Sequence, residues 1–277
     1  MAYKSYYTVL NTNICLETPS QEINDFCDYI WQNFSSNNHI NNSEFIKIIP
    51  SPKKENCFSV CIDSALAVCF GKQLKDVPYR VISKALENVI NGQAINKIDK
   101  KNMITLHSGV VSKNNKAMLI LGESGNGKST FTLELVANHG WKYLTDEIGL
   151  LDIHHIVHPF LKTVSFTPNI VKLDMQWTAR QFGMDHQTAV PPKKHSLPAP
   201  LKVIVVIKYS PENKLTLTPL KKSDSLVRLF NSQIGRAKSV ASVEQIAEVV
   251  KNIRSYQLSH NNVSEAARIA LELIENE

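Results

Sequence analysis

One stretch of the chain, residues 117–130, constrains its fold more than any other. It reads Ala-Met-Leu-Ile-Leu-Gly-Glu-Ser-Gly-Asn-Gly-Lys-Ser-Thr and fits the pattern G-x-x-x-x-G-K-[ST]. In that pattern, backbone N–H groups surround phosphate oxygens, the lysine reaches the terminal phosphates and the hydroxyl binds Mg²⁺. The stretch therefore predicts a phosphate cradle whose binding residues are Gly122, Glu123, Ser124, Gly125, Asn126, Gly127, Lys128, Ser129 and Thr130.

The residues on either side of this loop supply the strand and the helix that such a cradle needs. Five apolar residues, 117–121, predict a buried strand, and the apolar positions of 129–138 predict a helix packed on the sheet. The N-terminus of that helix would face the phosphates with its dipole and its free N–H groups. The glycine spacing is not the G-x-G-x-x-G of dehydrogenases, and no Leu-Ser-Gly-Gly-Gln segment of an ABC-type ATPase is present.

Composition and charge are those of a globular protein of 277 residues, with 43% hydrophobic and 20% charged residues. Thirty-one Lys and Arg against twenty-five Asp and Glu give a net charge of +6. This excess suits phosphorylated ligands or an acidic partner, and it is too small to indicate nucleic-acid binding. Neither a signal peptide nor a membrane span is recognisable, so we expect a cytoplasmic protein with access to ATP and Mg²⁺.

The five cysteines lie in the first quarter of the chain without a paired metal-binding spacing, which predicts reduced, buried thiols. Residues 1–100 predict a smaller α+β part. Its elements are a strand over 5–16, a helix after Pro19-Ser20, strands over 44–49, 57–63 and 66–70, and a helix over 78–90. The polar run 96–102 is the predicted boundary.

Residues 101–277 predict an α/β part with a mixed sheet. Its predicted strands cover 103–111, 117–121, 142–144, 148–153 and 201–207, with 215–217 pairing onto the last of them. Helices are predicted over 129–138, 223–230, 243–255 and 263–275. The proline-rich residues 191–200 predict an exposed loop.

Asp146-Glu147 is the leading candidate for chemistry beyond phosphate binding. The pair lies about seventeen residues past Ser129, at the end of the next predicted strand, where ligands bind in open α/β sheets. Two acids there can hold Mg²⁺ together with Ser129, or take a proton from an attacking hydroxyl. The alternative is a pair of solvated acids at a turn.

Three groups of residues resemble one enzyme family. Leu-His-Ser-Gly-Val-Val at 106–111, the stretch 118–130, and Gly-Trp-Lys-Tyr-Leu-Thr-Asp-Glu at 140–147 with His-Pro-Phe at 158–160 are similar to the catalytic domain of HPr kinase/phosphorylase. They are more similar still to the HPr-kinase-related proteins of bacterial peptide-modification systems, including those that phosphorylate a serine of a precursor peptide. The resemblance covers about residues 103–220.

This resemblance implies a P-loop core of the phosphoenolpyruvate-carboxykinase-like and HPr-kinase-like type. It also implies that the cradle binds ATP, that His107 lies near the transferring phosphate, and that Asp146 and Glu147 supply the base and a metal contact. Which carboxylate is the base stays open, since the pair is Asp-Glu and not the Asp-Asp of the bifunctional enzymes. No Arg-Gly-x-Gly acceptor loop is recognisable, which points to an acceptor other than HPr. Residues 1–100 do not resemble that family's N-terminal domain, so we expect them to select a different acceptor or to dock a partner.

Several basic residues are weaker candidates. Arg180, Arg228 and Arg236 could each stabilise charge on a transferring phosphoryl group, and Arg236 is the one chosen. Without the resemblance, His107 would be assigned to the core of a strand. The histidines at 154, 155 and 158 fit a polar hairpin better than a zinc site.

The sequence therefore predicts an ATP- and Mg²⁺-dependent kinase that phosphorylates a hydroxyl, with a serine of a peptide or small protein as the favoured acceptor. The alternatives are a small-molecule hydroxyl kinase of the same fold and a non-catalytic ATP-binding regulatory or scaffold protein. Residues 1–100 are predicted to dock the acceptor or a partner. No nucleic-acid or membrane partner is expected. The HPr enzymes assemble as hexamers, so the resemblance also implies that this chain could form homo-oligomers. No stretch of the sequence marks an interface.

Overall fold

The structure, a computed structural model, shows a mixed α/β protein. It describes residues 2–9, 12–36, 44–50, 58–62, 65–70, 103–162, 164–165, 188–189, 197–234 and 240–277. The chain divides into two compact units, Met1–Ile98 with Thr178–Val190, and Asp99–Trp177 with Pro191–Glu277. The helix predicted over 78–90 and most of the loop predicted over 191–200 lie outside the described residues. The roles predicted for 1–100 and 101–277 stay predictions.

The first unit contains a five-stranded sheet whose strands lie in chain order. These strands are β1 (Tyr3–Val9), β2 (Thr12–Thr18), β3 (Glu44–Pro50), β4 (Phe58–Ile62) and β5 (Ala65–Phe70). All neighbours are antiparallel except β2 and β3, which are parallel and are separated in the chain by helix α1 (Gln21–Ile30) and a 3₁₀ turn (Gln32–Phe34). The single strand predicted over 5–16 is wrong, because alternation of side chains shows a strand but not where the chain reverses.

Helix α1 is held on this sheet by a cap and by its apolar face. The Ser20 hydroxyl accepts a hydrogen bond from the Ile23 amide, and the buried face includes Phe26, Cys27 and Ile30. Cys15 and Cys27 are buried and free, as predicted, and burial raises the pKa of the Cys27 thiol. The side chains of the other three cysteines lie outside the described residues.

The second unit is built on a mixed sheet. Its strands are β6 (Met103–Leu106), β7 (Gly109–Lys113), β8 (Lys116–Leu121), β9 (Lys142–Thr145), β10 (Gly149–Asp152), β11 (Ile156–His158), β14 (Ala199–Tyr209), β15 (Thr216–Pro219) and β16 (Arg254–His260). Along the sheet, the order β15-β16-β14-β8-β7-β9 has β16, β14 and β8 parallel. The start of β14 also pairs with β11, which continues to β10 and β6. A short strand, β12 (Val164–Ser165), also belongs to this unit, and the other short strand, β13 (Thr188–Ala189), belongs to the first unit.

Helices cover both faces of this sheet. They are α2 (Lys128–Asn138), α3 (Lys222–Ser232), α4 (Val240–Asn252) and α5 (Val263–Glu275). Met118 and Ile120 pack with α2 and α5, whereas Leu119 and Leu121 pack with α3 and α4. Successive residues of β8 thus serve opposite layers, which explains why its sequence is apolar throughout. No helix in the described ranges is long and apolar enough to span a membrane.

Two strand predictions in this unit are wrong. The strand predicted over 103–111 breaks at His107 and Ser108, where Ser108 Oγ donates to the Leu106 carbonyl, and continues as β7. Residues 216–219 pair with β16 and not with β14. Strand β16 itself is missed, because its polar residues at 255, 257 and 259 follow directly on a helical pattern.

Replacing Asn262 by Ala should lower the free energy of unfolding by about 1 kcal/mol. The Asn262 side chain accepts from the amides of Ser264 and Glu265 and so caps α5, which lies on the central strands. Urea unfolding followed by circular dichroism measures the change. Asn261→Ala is the matched control, because Asn261 is equally exposed and caps nothing. An equal loss in both variants would contradict the role of the cap.

Candidate functional site

The register of β7 brings three chain segments to one edge of the sheet. Gly109, the first residue of β7, pairs with Ile120 on β8, and Val110 pairs with Thr145 on β9. The loop that follows β8 and the acid that follows β9 therefore lie on either side of the start of β7. This edge holds the carboxyl ends of β8 and β9, which is the position where α/β sheets bind ligands.

The loop after β8 has the backbone of a glycine-dependent turn that opens into a helix. Gly125 and Gly127 have φ values of 88° and 82°, in the left-handed region that favours glycine. Gly127 is the N-cap of α2 and offers no side chain to its first turn, so no side chain occupies the amides at the start of the helix. The predicted strand, loop and helix over 117–138 are confirmed as secondary structure, and phosphate binding by them stays a prediction.

The Lys128 side chain folds back onto the start of the loop. Its ammonium group donates to the carbonyl oxygens of Gly122 at 2.8 Å and Glu123 at 3.4 Å. Burial lowers the pKa of Lys128, and the nearby carboxylates of Asp146 and Glu147 oppose that shift. The charged end of this buried side chain therefore lies within the loop, against the carbonyl groups at its start.

Asp146 is the buried acid of the site, with 2% of its surface exposed. Burial raises its pKa to about 6, although the neighbouring Ser129 hydroxyl and the Lys162 ammonium group oppose this rise. Its Oδ1 atom has no hydrogen-bond partner among the described residues. A buried carboxylate with one oxygen unpaired, next to the predicted Mg²⁺-binding hydroxyl, is a ready ligand for a cation or a proton.

Gly109 and Thr132 form the wall behind this carboxylate. A Cβ atom on Gly109 would collide with Thr132 Oγ1 and lie 3.5 Å from Asp146 Oδ1. Thr132 Oγ1 is itself buried without a hydrogen-bond partner in the described part of the chain. Close packing therefore favours glycine at position 109, since a Cβ atom there would force the Thr132 side chain to move.

Glu147 has the least favourable backbone of the site. Its φ is 70°, a conformation that a residue other than Gly, Asn or Asp rarely adopts. Its Oε2 lies 2.6 Å from Nζ of Lys162, whose side chain is only 4% exposed, whereas the Glu147 side chain is 42% exposed. Lys162 is placed by the segment after β11, where the Phe160 amide donates to the Leu144 carbonyl. The ion pair therefore ties Glu147 to the body of the unit.

His107 lies in the bend between β6 and β7, where its amide donates to the Ser232 carbonyl at 2.6 Å. Partial removal from water lowers its pKa, Lys128 and Lys162 lower it further, and Glu147 opposes the shift. The imidazole is thus neutral at neutral pH. The structure brings His107 to the same edge as Lys128 and Glu147, and its place is a bend rather than a strand interior.

A pocket of about 270 Å³ lies beside the first half of the loop. Its lining combines polar groups and two apolar strand residues: His107, Leu121, Gly122, Glu123, Ser124, Val206, Arg228, Asn231 and Ser232. Arg228 is half-buried there, and its guanidinium donates to Gln257 Oε1 at 3.3 Å. Of the three arginines considered from the sequence, Arg228 lies at this pocket. Arg180 and Arg236 lie outside the described residues.

Sequence reasoning missed Lys162, Gly109 and Thr132. Lys162 follows the apolar residues Phe160 and Leu161, and a charged residue next to buried apolar residues needs a partner of opposite charge. That position was the available sequence signal. Gly109 and Thr132 gave no signal, because their contact joins a strand to a helix. Of the histidine group, His158 pairs with Asp152 at 2.8 Å, and Asp152 also accepts from the amides of His154 and Ile156. This is the polar hairpin expected from the sequence.

No known protein family and no curated protein matches this chain. Among solved structures, the chain is similar to the HPr(Ser) kinase/phosphatase from Coxiella burnetii, with 13% sequence identity and a TM-score of 0.32. The matched part covers 62% of this chain and 94% of that one. The HPr-kinase-like membership implied by the motifs stays a prediction, and the residues of the site carry the functional proposal below.

Replacing Gly109 by Ala should destabilise the protein by about 1–3 kcal/mol, because the added methyl group collides with Thr132 Oγ1. Thr132→Ala alone should have a small effect on the free energy of unfolding, since it removes a buried hydroxyl that lacks a partner. In the double variant, the alanine at 132 removes the colliding atom, so most of the loss should be recovered. Simple addition of the two single effects would contradict this contact.

Replacing Asp146 by Asn should stabilise the ligand-free protein at pH 7.5, by at most about 3 kcal/mol. The folded protein holds the Asp146 proton up to about pH 6, whereas the unfolded chain releases it near 3.8. The folded state binds more protons between these values, so the Asp146 contribution to stability falls as the pH rises. The gain of the variant should shrink towards pH 4, as measured by urea unfolding. A gain that does not change with pH would contradict the burial of a charge.

Proposed function

We propose that this protein is an ATP- and Mg²⁺-dependent kinase that transfers the γ-phosphate to a hydroxyl group, with a serine of a peptide or small protein as the acceptor. The observation that carries the proposal is the buried carboxylate of Asp146, which lies beside Ser129 of the loop and has one oxygen without a hydrogen-bond partner among the described residues. A phosphate-binding loop alone supports binding. A loop that has a buried acid with an unpaired oxygen beside it supports phosphoryl transfer.

The residues at this edge fit a magnesium nucleotide. Mg²⁺ in kinases takes one or two carboxylates together with phosphate oxygens, and Ser129, Asp146 and Glu147 offer such oxygens next to the loop. When bound, Mg²⁺ would supply positive charge that neutralises the phosphate oxygens. The unpaired Asp146 Oδ1 is the specific observation that a cation would satisfy.

The two acids differ in a way that favours separate roles. Asp146 is buried beside Ser129, so we assign it to hold the metal beside the loop. Glu147 is more exposed and is fixed by Lys162, so we assign it to orient the acceptor hydroxyl and receive its proton. The acceptor oxygen would form the new P–O bond as the bond between the γ-phosphorus and the β–γ bridging oxygen breaks and ADP leaves, while the proton of the acceptor hydroxyl passes to a Glu147 oxygen.

Basic and polar groups around the pocket complete the mechanism. Lys128 would exchange its two carbonyl contacts for terminal phosphate oxygens. Arg228 lines the adjoining pocket and would stabilise charge on the transferring group, in place of the Arg236 chosen from the sequence. His107, which lines the same pocket as a neutral imidazole, would hydrogen-bond the transferring phosphate or the acceptor.

The direct test uses the full chain with radiolabelled ATP, Mg²⁺ and the serine-containing peptides encoded beside its gene. Label in a peptide that is lost when the target serine is changed to alanine would support the peptide kinase. Label only in a small metabolite would favour the small-molecule kinase. Nucleotide binding without transfer to any acceptor would favour a regulatory or scaffold protein and contradict the proposal.

Lys128→Ala should reduce phosphoryl transfer by at least about a hundredfold, because one preorganised charge at the transferring group is lost. Initial rates with saturating acceptor measure the effect, and circular dichroism checks that the fold is intact. Lys142→Ala is the matched control, because Lys142 is an exposed lysine at the far end of β9. Equal activity of the Lys128 variant and the control would contradict the role of the loop.

Asp146→Asn and Glu147→Gln should separate the two acids. Asp146→Asn should raise the Mg²⁺ concentration needed for half-maximal rate, because a metal ligand loses its charge. Glu147→Gln should lower the rate by about 10²–10⁴-fold and leave the dissociation constant of Mg·ATP within a few fold, since it removes general-base catalysis. Rates across a Mg²⁺ series and calorimetric binding measure both quantities. The opposite pattern would reverse the assignment.

A further inference from the structure

The candidate site has an acidic side after β9 and an aromatic side at the ends of β14 and β16. Asp146 and Glu147 follow β9, on one side of the loop. On the other side, β14 and β16 run parallel to β8 and end at Tyr209 and His260, which are paired in register. The carboxyl ends of β14 and β16 therefore lie at the same edge of the sheet as the loop, across from the acids.

Tyr209 is an exposed aromatic ring at this second side. Its exposed fraction is 42%, and within the described ranges of the second unit every other Tyr, Phe or Trp side chain is less exposed. It is also close to the loop, because a methyl group placed on Gly127 would lie 3.7 Å from Tyr209 Cβ. Tyr209 is therefore a partly exposed aromatic residue whose Cβ atom lies next to the N-cap of α2, so its ring is available for contact with a ligand bound at the loop.

Tyr209 is the exposed member of a row of three aromatic rings whose other two members are buried. Its centroid is 5.6 Å from that of His260, which is 6.3 Å from that of Phe131 in α2. His260 is 2% exposed, and neither ring nitrogen has a hydrogen bond of standard geometry among the described residues. Burial lowers its pKa, with the Asn262 backbone opposing the shift, so the His260 ring is uncharged at neutral pH. The three rings tie the ends of β14 and β16 to the helix that carries the loop.

We propose that Tyr209 is the platform on which the nucleobase stacks. The inference rests on the proposed function, because it requires a nucleotide whose terminal phosphates lie on the Asp146 side of the loop. Such a nucleotide extends past the first turn of α2, and its base then meets the Tyr209 ring. Stacking on an aromatic face accepts any base, so this platform selects for a nucleotide over a bare polyphosphate and discriminates weakly between ATP and GTP.

Isothermal titration calorimetry tests this with two probes, Mg·ATP and magnesium tripolyphosphate, which has the phosphates without the base. Tyr209→Ala should weaken Mg·ATP binding by about tenfold or more, as expected for loss of one stacked base. It should leave tripolyphosphate binding within about twofold, which also reports that the loop is intact. Tyr209→Phe keeps the ring and should bind both probes as the unmodified protein does.

The possible outcomes separate this proposal from the one on which it rests. If Tyr209→Ala binds Mg·ATP with unchanged affinity, or loses both probes equally, the platform is overturned while the kinase proposal stands. If Tyr209→Phe loses as much Mg·ATP affinity as Tyr209→Ala, the hydroxyl and not the ring face is responsible, and stacking is overturned. If the unmodified protein binds neither probe, the nucleotide site itself fails.

Discussion

The pairing of β7 between β8 and β9 is the constraint on which the candidate site depends. It sets Gly109 between the strand that enters the loop and the strand that ends before Asp146. Because Gly109 has no side chain, Thr132 of α2 and the Asp146 carboxylate can approach it from two directions. The burial that follows raises the pKa of Asp146 and leaves one of its oxygens unpaired. A carboxyl group is thus kept in an environment that costs stability, and the proposed function would give that cost a reason.

Much of the second unit could be predicted from local pattern. The strand, loop and helix around Gly122–Ser129 were foreseen because glycine, lysine and the apolar run all act within a few residues of one another. Helix α5 was foreseen for the same reason, through its Asn262 cap. The break at His107 and the strand β16 could not be predicted, since both depend on which segments pair across the sheet. Local alternation carries no information on that choice.

The candidate site divides in the same way. The position of Asp146 and Glu147 at the sheet edge followed from the order of strand, helix and strand. The difference in burial and backbone conformation between the two acids could not be predicted, because they are neighbours in the sequence. It arises because one is buried beside Ser129 and the other adopts a left-handed backbone conformation and pairs with Lys162. The aromatic group of Tyr209, His260 and Phe131 comes from three separate elements and is likewise a property of the fold.

The central claim is that the loop and the buried acid act on one magnesium nucleotide. A crystal structure of the protein with Mg²⁺ and a non-hydrolysable ATP analogue tests it most directly. The account predicts Mg²⁺ at about 2.1 Å from Ser129 Oγ and in contact with an Asp146 oxygen, directly or through one water. It also predicts that Lys128 leaves the Gly122 carbonyl for a terminal phosphate. Phosphates bound away from this loop, or Mg²⁺ held without Ser129 and Asp146, would contradict it.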